Sequence, residues 1–160
     1  MPAEFDLSAF LPYRLAVLSE RASRRLAVEY EKSHGLAVAE WRVLAHLSRA
    51  EAVSVRDIHD RVNLEKPRVS RAVARLEADG LVSKAPGRGD GRLVAISLTK
   101  RGRAVLIDIL PAARAVERAL VDAVSPAEME TFLFVMERMH AALDRDPRAK
   151  PRPRIDRTEG

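Results

Sequence analysis

The chain has 160 residues, of which 47% are hydrophobic and 4% aromatic, and its formal net charge is +5 at pH 7. It contains no cysteine, which excludes disulfides and thiolate metal sites, and no run of about 18 or more apolar residues, so we expect no membrane-spanning helix. Because Glu4 and Asp6 stand where a signal peptide would carry basic residues, we expect a cytoplasmic protein without a leader.

The N-terminal region is predicted to form a long helix over residues 8–33, because Leu11, Leu15 and Leu18 recur at helical spacing. At ~1.5 Å per residue, a helix of about 25 residues spans roughly 40 Å, which exceeds the width of a small domain. We therefore expect part of this helix to pack against a second copy of the chain.

A second helix is predicted over residues 37–49, after a stop at Gly35. Its start is poorly defined by the sequence, because Ala37 is a weak N-cap. Trp41 is one of the apolar residues of this helix. Residues 50–53 then lead to the next helix and could add a short strand beside a later hairpin.

Two short helices joined by a tight turn are predicted next. Ser54 can cap a helix over residues 55–62, and Pro67 can occupy the first turn of a second helix that stops at Gly80. The turn between the two helices falls at Asn63. This order is typical of a helix-turn-helix.

The second of these helices has two different faces when it is drawn at about 100° per residue. One face is apolar and is predicted to be core, whereas the other carries small and cationic side chains that suit a nucleic-acid groove. The core face comprises Val69, Ala72, Val73 and Leu76, and the outer face comprises Pro67, Ser70, Arg71, Ala74 and Ala78, flanked by Arg68 and Arg75.

A β-hairpin is predicted after Gly80, because the periodicity changes from helical to alternating at residues 93–98. Its partner strand covers residues 81–85, and the glycine-rich loop between the strands carries Arg88 and Arg92 as a basic finger. The two helices and this hairpin predict a winged helix-turn-helix, mainly α with a small β wing. Such a unit places its second helix in a major groove and its loop over the DNA backbone or minor groove.

The C-terminal part is predicted to form two further helices. Thr99 can cap the first, in which Pro111 predicts a kink, and Ser125 begins a capping box with Glu128 that starts the second. After these helices, residues 145–160 are rich in proline and arginine and are expected to be a disordered basic tail.

The predicted domain organisation is a DNA-binding lobe at residues 36–99, with dimerisation helices at residues 8–33 and 100–144. Positive charge is concentrated in and beside this lobe: residues 54–104 contain twelve basic and six acidic residues, so that this segment accounts for the whole positive excess of the chain. A basic patch that coincides with the outer side of a groove-sized helix is the electrostatic footprint of a polyanion site.

On these grounds we expect the helix-turn-helix and the hairpin to bind double-stranded DNA. Ser70 and Arg71 are expected to reach base edges, whereas Arg68 and Arg75 flank them toward phosphates. The predicted contact residues are Ser54, Lys66, Pro67, Arg68, Ser70, Arg71, Arg75, Lys84, Arg88 and Arg92.

Other kinds of site find little support in the sequence. His34, His46, His59 and His140 are scattered without metal-ligand spacing, so we expect no metal. No serine or threonine has a visible base, and no paired carboxylates lie in an apolar segment, so we expect neither catalysis nor a cofactor. The glycine-rich loop joins two strands instead of opening a helix, which argues against a phosphate cradle.

Five short motifs are spaced along the chain. They are Gly-Leu at residues 35–36, Glu-Trp-Arg-Val-Leu at 40–44, Leu-Glu-Ala-Asp-Gly-Leu-Val at 76–82, Asp-Gly-Arg at 90–92 and Leu-Thr-Lys-Arg-Gly at 98–102. In this order and spacing they resemble the MarR family of bacterial regulators. The resemblance implies an obligate homodimer, joined by its first and last helices, that binds pseudo-palindromic operators. It also implies that Asp90 braces Arg92 against the DNA, which adds Asp90 to the predicted contact residues, although Gly91 stands where many members carry a charged residue.

The start of the first helix, Leu-Pro-Tyr-Arg-Leu at residues 11–15, resembles a subset of that family linked to the catabolism of aromatic acids. The resemblance implies an effector carboxylate held in a cleft between the dimer helices and the DNA-binding lobe. Arg14 would be its counter-charge, with Tyr13, Trp41 and His46 as walls. Each also has an ordinary interpretation, Arg14 as an ion-pair residue and Trp41 as core.

Three functions therefore stay open. The first is a homodimeric transcriptional regulator, acting as a repressor that an aromatic carboxylate releases from its operator. The second is an architectural DNA-binding dimer without a ligand, and the third is a winged-helix protein-interaction module. A steep salt dependence of DNA binding would exclude the third, and stabilisation by a ligand would separate the first from the second.

Overall fold

The computed structural model describes residues 5–49, 52–87 and 94–153 of the chain. Within these residues the fold is mainly α with one antiparallel hairpin, as predicted. None of the described helices is long and apolar enough to cross a bilayer. The elements are α1 (Leu11–His34), α2 (Val38–Leu47), α3 (Val55–Val62), α4 (Lys66–Ala78), β1 (Val82–Pro86), β2 (Val94–Leu98), α5 (Lys100–Val121) and α6 (Pro126–Asp144).

Helix α1 begins at Leu11, three residues later than predicted. The preceding residues Leu7–Ala9 form a 3₁₀ turn, whose Ser8 amide donates to Asp6. Pro12 explains the difference, because in a helix that began at residue 8 its ring would clash with the carbonyl four residues earlier. In the first turn of α1 the missing N–H of Pro12 costs no hydrogen bond.

Helix α2 is shorter than the predicted range 37–49 and begins at Val38. Gly35, at a left-handed φ of 64°, ends α1 just before it. Ala37 has no capping oxygen in its side chain, but Oε2 of Glu40 reaches back and accepts a hydrogen bond from the Ala37 N–H at 2.8 Å. The first turn of α2 is therefore fixed by a side chain three residues inside the helix.

Helices α3 and α4 form the helix-turn-helix at nearly the predicted boundaries. The Asp57 N–H donates to Ser54 Oγ at 3.1 Å and the Ser54 N–H donates to Asp57 Oδ2 at 3.2 Å, which closes a capping box. Asn63 adopts the left-handed φ of 52° that the tight turn requires, and Gly80, at 71°, follows the end of α4. The local signals in the sequence therefore position α4.

The hydrophobic core lies where α2, α3, α4 and the hairpin meet. All four residues predicted for the inner face of α4 are buried, and burial of such side chains stabilises the fold by about 1.5–3 kcal/mol for each large one. The inner face of α4 is thus fixed in the core. The residues of this face are Val69, Ala72, Val73 and Leu76, and the same cluster contains Val43, Leu44, Leu47, Ile58 and Ile96.

The two strands pair in antiparallel register, with Val82 opposite Leu98. Val53 forms two backbone hydrogen bonds with Ile96, of 3.0 and 2.7 Å. Of the short strand expected near residues 50–53, the described part is residues 52–53, and there Val53 forms a bridge to the edge of β2.

Helices α5 and α6 begin as predicted but leave many apolar side chains uncovered. Helix α5 continues through Pro111, and α6 begins at the capping box of Ser125 and Glu128. Among the described residues, none in α6 is buried. The exposed apolar side chains include Phe132, Leu133, Phe134 and Leu143 of α6 and Leu11, Leu15 and Leu18 of α1.

Residues 145–153, hereafter the return segment, fold back toward the helix-turn-helix. Arg152 forms a two-pronged ion pair with Glu137 of α6, in which one N···O distance is 2.9 Å. Lys150 Nζ lies 3.3 Å from Oδ1 of Asn63 in the α3–α4 turn. These contacts differ from the disorder predicted for this part of the tail, because they depend on partners that are distant in the sequence. The rest of the tail lies outside the described residues.

Candidate nucleic-acid interface

The outer face of α4 is an exposed surface of small and cationic side chains. Lys66, Arg68 and Arg71 are exposed, and so are Pro67 and Ser70 between them. Because the opposite side of the helix is anchored in the core, this face is held in one orientation. The residues predicted to read a groove are thus exposed. Their contact with DNA stays a prediction.

Arg75 is tied to α2, although the sequence predicts only a flanking role toward phosphates. Its Nε lies 3.5 Å from Oε1 of Glu40, whose side chain is 6% exposed, while that of Arg75 is 62% exposed. A carboxylate buried to this extent requires such partners. The pair, hereafter the Glu40–Arg75 bridge, joins the start of α2 to the third turn of α4.

Lys84 of β1 is also engaged within the chain. Its Nζ lies 2.9 Å from Oε2 of Glu77 on α4. Both side chains are partly exposed, and such a pair contributes about 0–1 kcal/mol. Lys84 therefore links the wing to α4, and the carboxylate of Glu77 partly compensates its positive charge.

Ser54 has a structural role at the start of α3. Its hydroxyl donates to Oδ2 of Asp57 at 2.8 Å and accepts from the Asp57 amide, and its own N–H donates to the same carboxylate. The polar groups of Ser54 are thus engaged in helix capping, whereas the sequence predicts a contact with DNA.

The predicted contacts at the tip of the wing, Arg88, Asp90 and Arg92, lie outside the described residues. The base of the wing is described in full, because both strands and the start of α5 belong to the described part of the chain. The roles assigned to the three tip residues therefore stay predictions.

A backbone joint, hereafter the wing joint, connects α4, the wing and α5. Thr99 Oγ1 donates to the carbonyl of Gly80 at 2.7 Å and accepts from the N–H of Gly102 at 3.0 Å. The Thr99 N–H donates to the carbonyl of Leu81 at 3.1 Å. A Cβ built on Gly102 would lie 1.9 Å from that same carbonyl oxygen. Close backbone contact thus explains the Leu-Thr-Lys-Arg-Gly motif.

The predicted effector residues fall into two places. Trp41 and His46 line one cleft beside α3 and the return segment. Tyr13 and Arg14 are exposed near the start of α1, and neither is among the described residues that line this cleft. Trp41 also stacks on the buried ring of Tyr30, with ring centroids 5.3 Å apart, which agrees with its interpretation as core.

His46 is a buried polar residue of this cleft. It is 6% exposed, and its Nε2 has no hydrogen-bond partner within the described part of the chain. Burial lowers the pKa of His46 and the positive charge of Arg61 lowers it further, against an opposing effect of Asp57. The imidazole is therefore neutral at pH 7.

Sequence reasoning does not identify two residues with structural roles near α4 and near the cleft. These residues are Glu40, which pairs with Arg75, and Arg61, which lies near His46. Glu40 stands three residues after Ala37, which is the N3 position of a capping box and a usable signal. The approach of Arg61 to His46 leaves no such signal, because it depends on how α2 packs against α3.

The profile of the MarR family matches residues 34–93. The homoprotocatechuate degradative operon repressor of Escherichia coli is 32% identical over 74 residues, which cover 46% of this chain and 50% of that protein. The chain thus spans about half the length of the first curated relatives that it matches.

Solved structures share the fold over most of the chain. A MarR-family transcriptional regulator from Silicibacter pomeroyi matches with a TM-score of 0.73 at 28% identity, over 92% of this chain and 99% of that one. BpsR of Bordetella bronchiseptica, whose DNA binding is regulated by 6-hydroxynicotinic acid, matches with a TM-score of 0.76 at 23% identity, over 86% of this chain and 97% of that one. The winged helix-turn-helix and the profile match over residues 34–93 make this chain similar to MarR-family transcriptional regulators.

Proposed function

We propose that this chain is a non-enzymatic transcriptional regulator that binds a pseudo-palindromic DNA operator as a homodimer. The observation that carries the proposal is the outer face of α4. Ser70 and Arg71 are exposed on a helix of 13 residues whose opposite face is fixed in the core. A rigid helix that presents small and cationic side chains matches what a major groove admits.

The uncovered apolar side chains of α1 and α6 support the homodimer. Leu18 of α1 and Leu133 of α6 are both more than half exposed, and Phe134 is 62% exposed. Burial of such surface stabilises an interface by about 25 cal/mol per Å². A two-fold dimer would cover these side chains and set the spacing of the two recognition helices. The expected operator has half-sites about one helical turn apart, roughly 10 base pairs, or a multiple of it.

We assign the regulator the role of a repressor that an aromatic carboxylate releases from its operator. The similar proteins support this assignment, since one represses a homoprotocatechuate degradative operon and the DNA binding of the other responds to 6-hydroxynicotinic acid. Both compounds are aromatic acids. To release the protein, the ligand must favour the DNA-incompetent form by about 10- to 100-fold, or roughly 1.4–2.8 kcal/mol. The alternative, an architectural dimer, would bind DNA without such a response.

DNA binding can be tested even though the operator sequence is not specified. Duplexes are selected from a random pool, and affinity for the selected duplex is measured by fluorescence anisotropy over a range of salt concentrations. The logarithm of the affinity should fall linearly with the logarithm of salt, with a slope of about −0.9 per neutralised phosphate. A shallow slope would refute a DNA-binding role and favour a protein-interaction module.

Two substitutions on α4 separate base contacts from phosphate contacts. Arg71→Ala should weaken binding by about 1–3 kcal/mol and relax the preference at one base position, whereas Arg68→Ala should weaken all sequences alike. An operator preference that Arg71→Ala leaves unchanged would contradict the assignment. Sedimentation that shows a folded monomer at micromolar concentration would contradict the dimer.

A further inference from the structure

The return segment carries positive charge without contributing to the core. It contains four basic residues, Arg145, Arg148, Lys150 and Arg152, and one acidic residue, Asp146. No residue of this segment, which the structure describes in full, is buried. Apolar packing therefore does not explain why the chain folds back after α6, and polar contacts decide where the segment lies.

An ion pair anchors the return segment on α6. The guanidinium of Arg152 pairs with both carboxylate oxygens of Glu137, and 15% of the Arg152 side chain is exposed. These hydrogen bonds lower the pKa of Glu137, so its carboxylate is charged at pH 7. Pro151 and Pro153 stand on either side of Arg152 and restrict the backbone, which lowers the entropy lost when this stretch is ordered. The segment is thus fixed on α6 just after Lys150.

Lys150 lies beside the residues that precede α4. Its Nζ is 3.3 Å from Oδ1 of Asn63 and 3.8 Å from Oε1 of Glu65, which is the N-cap of α4. The first residues of a recognition helix enter the major groove, and phosphates line the edges of that groove. The ammonium group of Lys150 therefore lies at the end of α4 that is proposed to enter DNA.

The described contacts of Lys150 leave its charge accessible. Its side chain is 58% exposed, and that of Glu65 is 72% exposed. An exposed ion pair contributes little stability, so exchange of this carboxylate for a phosphate oxygen costs little. The positive end of the α4 dipole lies at the same place and also favours an anion. A phosphate there would meet Lys150 and the first turn of α4 together.

We propose that the return segment is a further DNA-contacting element, in which Lys150 binds a phosphate at the edge of the groove that α4 enters. The inference deepens the DNA binding proposed above and rests on it. Because the contact is to the phosphate backbone, it adds affinity without sequence preference. The anchor of Arg152 on Glu137 makes this contact a direct connection between α6 and DNA.

Removal of the charge in the full-length chain tests the contact. Affinities for the selected duplex and for a duplex of unrelated sequence are measured by fluorescence anisotropy over a range of salt concentrations. Lys150→Gln should weaken both at least about threefold and make the slope of log affinity against log salt shallower by about 0.9, the value for one phosphate. Arg148→Gln is the matched control, because it removes the same charge from a side chain that pairs with Asp146. Equal losses in the two variants would show a diffuse effect of net charge and overturn the proposal.

A second substitution separates a phosphate contact from simple neutralisation of Glu65. In a Glu65→Gln chain the carboxylate that repels DNA is absent, so a lysine that acted only by neutralising it would have no further effect. Lys150→Gln should still weaken DNA binding at least about threefold in this background. An unchanged affinity would overturn the proposal. Circular dichroism verifies the fold of each variant.

The anchor on α6 gives an effect opposite in sign to that of net charge. Glu137→Ala removes a negative charge, and general attraction to DNA would therefore strengthen binding. Loss of the anchor should instead weaken binding about twofold or more, because Lys150 is no longer held at the start of α4. Sedimentation verifies that the variant keeps the oligomeric state of the parent chain. Stronger binding would show that the position of the segment does not matter and overturn the proposal.

Acetylation of lysines gives a readout on the unmodified chain. Bound duplex should slow the acetylation of Lys150, and the effect should vanish at high salt, where DNA dissociates. An unchanged rate would refute the contact. Arg68→Ala separates this failure from a failure of the proposed function. If Arg68→Ala makes the salt slope shallower and Lys150→Gln does not, only the contact fails, whereas a parent chain without a steep slope refutes the DNA-binding role and the contact together.

Discussion

Replacement of Gly102 by alanine tests whether the wing joint holds the wing against α5. Gly102 lies in the first turn of α5, where an alanine would ordinarily stabilise the helix by about 0.8–1 kcal/mol. The structure predicts the opposite sign. A Cβ at this position would lie 1.9 Å from the carbonyl oxygen of Leu81 and 2.9 Å from its carbonyl carbon.

The size of the expected loss of stability follows from the backbone atoms that an alanine at position 102 would displace. Ordinary van der Waals contact begins near 3.4 Å, so the start of α5 and the start of the wing must separate by about 1.5 Å. Backbone atoms cannot rotate away as a flexible side chain can. Overpacking of this kind destabilises by about 1–3 kcal/mol, and the hydrogen bonds of Thr99 would weaken as well. We expect a net loss of about 2–3 kcal/mol after the gain in helix propensity.

Urea unfolding followed by circular dichroism measures this loss. Both variants and the parent chain are compared at one protein concentration, because the stability of the proposed dimer would depend on concentration. With a slope of about 2 kcal/mol per molar urea, the midpoint should fall by about 1 M or more. Gly35→Ala is the matched control: its φ of 64° strains an alanine, but nothing lies within 4 Å of the added Cβ. That variant should lose only about 1–2 kcal/mol and keep its DNA affinity. A midpoint for Gly102→Ala equal to or above the parent value would refute the reasoning.

Single contacts elsewhere in the fold give three further predictions. A double-mutant cycle of Glu40→Ala and Arg75→Ala, measured by urea unfolding, should give a coupling free energy of about 0.5–3 kcal/mol. If the two losses of stability simply add, the Glu40–Arg75 bridge does not stabilise the fold. Ser125→Ala should lower the free energy of unfolding by about 1 kcal/mol through loss of the α6 cap, and an unchanged midpoint would show that α6 does not depend on it. Because the folded pKa of His46 lies below its ordinary value of 6.5, the unfolded chain binds its proton first, and stability should fall as pH drops through 6.5 toward the folded value. His46→Gln should flatten that part of the profile of stability against pH. An unaltered profile would contradict the lowered pKa of His46 in the folded chain.

Most of the helix-turn-helix could be predicted because its boundaries are encoded within a few residues. Ser54 closes a capping box with a neighbour three positions away, Pro67 fits only the first turn of α4, and Gly80 supplies a left-handed conformation after its end. The inner face of α4 follows from one period of the hydrophobic pattern. Each of these signals acts locally, so it can be found in the sequence before any tertiary contact is considered.

The contacts that could not be predicted join residues that are distant in the chain. Glu40 meets Arg75 only after α2 has packed on α4, and Arg152 meets Glu137 only after the chain has reversed behind α6. The start of α1 differs from its predicted position for another reason: Leu11, Leu15 and Leu18 give a helical period, but the steric demand of Pro12 decides where the helix begins. Periodicity locates an element, and the local geometry of the backbone sets its ends.

These distant contacts define two kinds of connection between α4 and the rest of the described chain. Helix α4 is fixed to the core along its inner face, to α2 by the Glu40–Arg75 bridge and to α5 by the wing joint. Packed contacts of this kind deform little. The link from α6 through the return segment to the α3–α4 turn includes the exposed polar contacts of Lys150 with Asn63 and Glu65, and such contacts are worth little individually. We therefore expect α6 to shift relative to the lobe more readily than α4 shifts within it. In the proposed dimer, a shift of α6 would therefore change the spacing of the two α4 helices while each α4 keeps its own outer face intact.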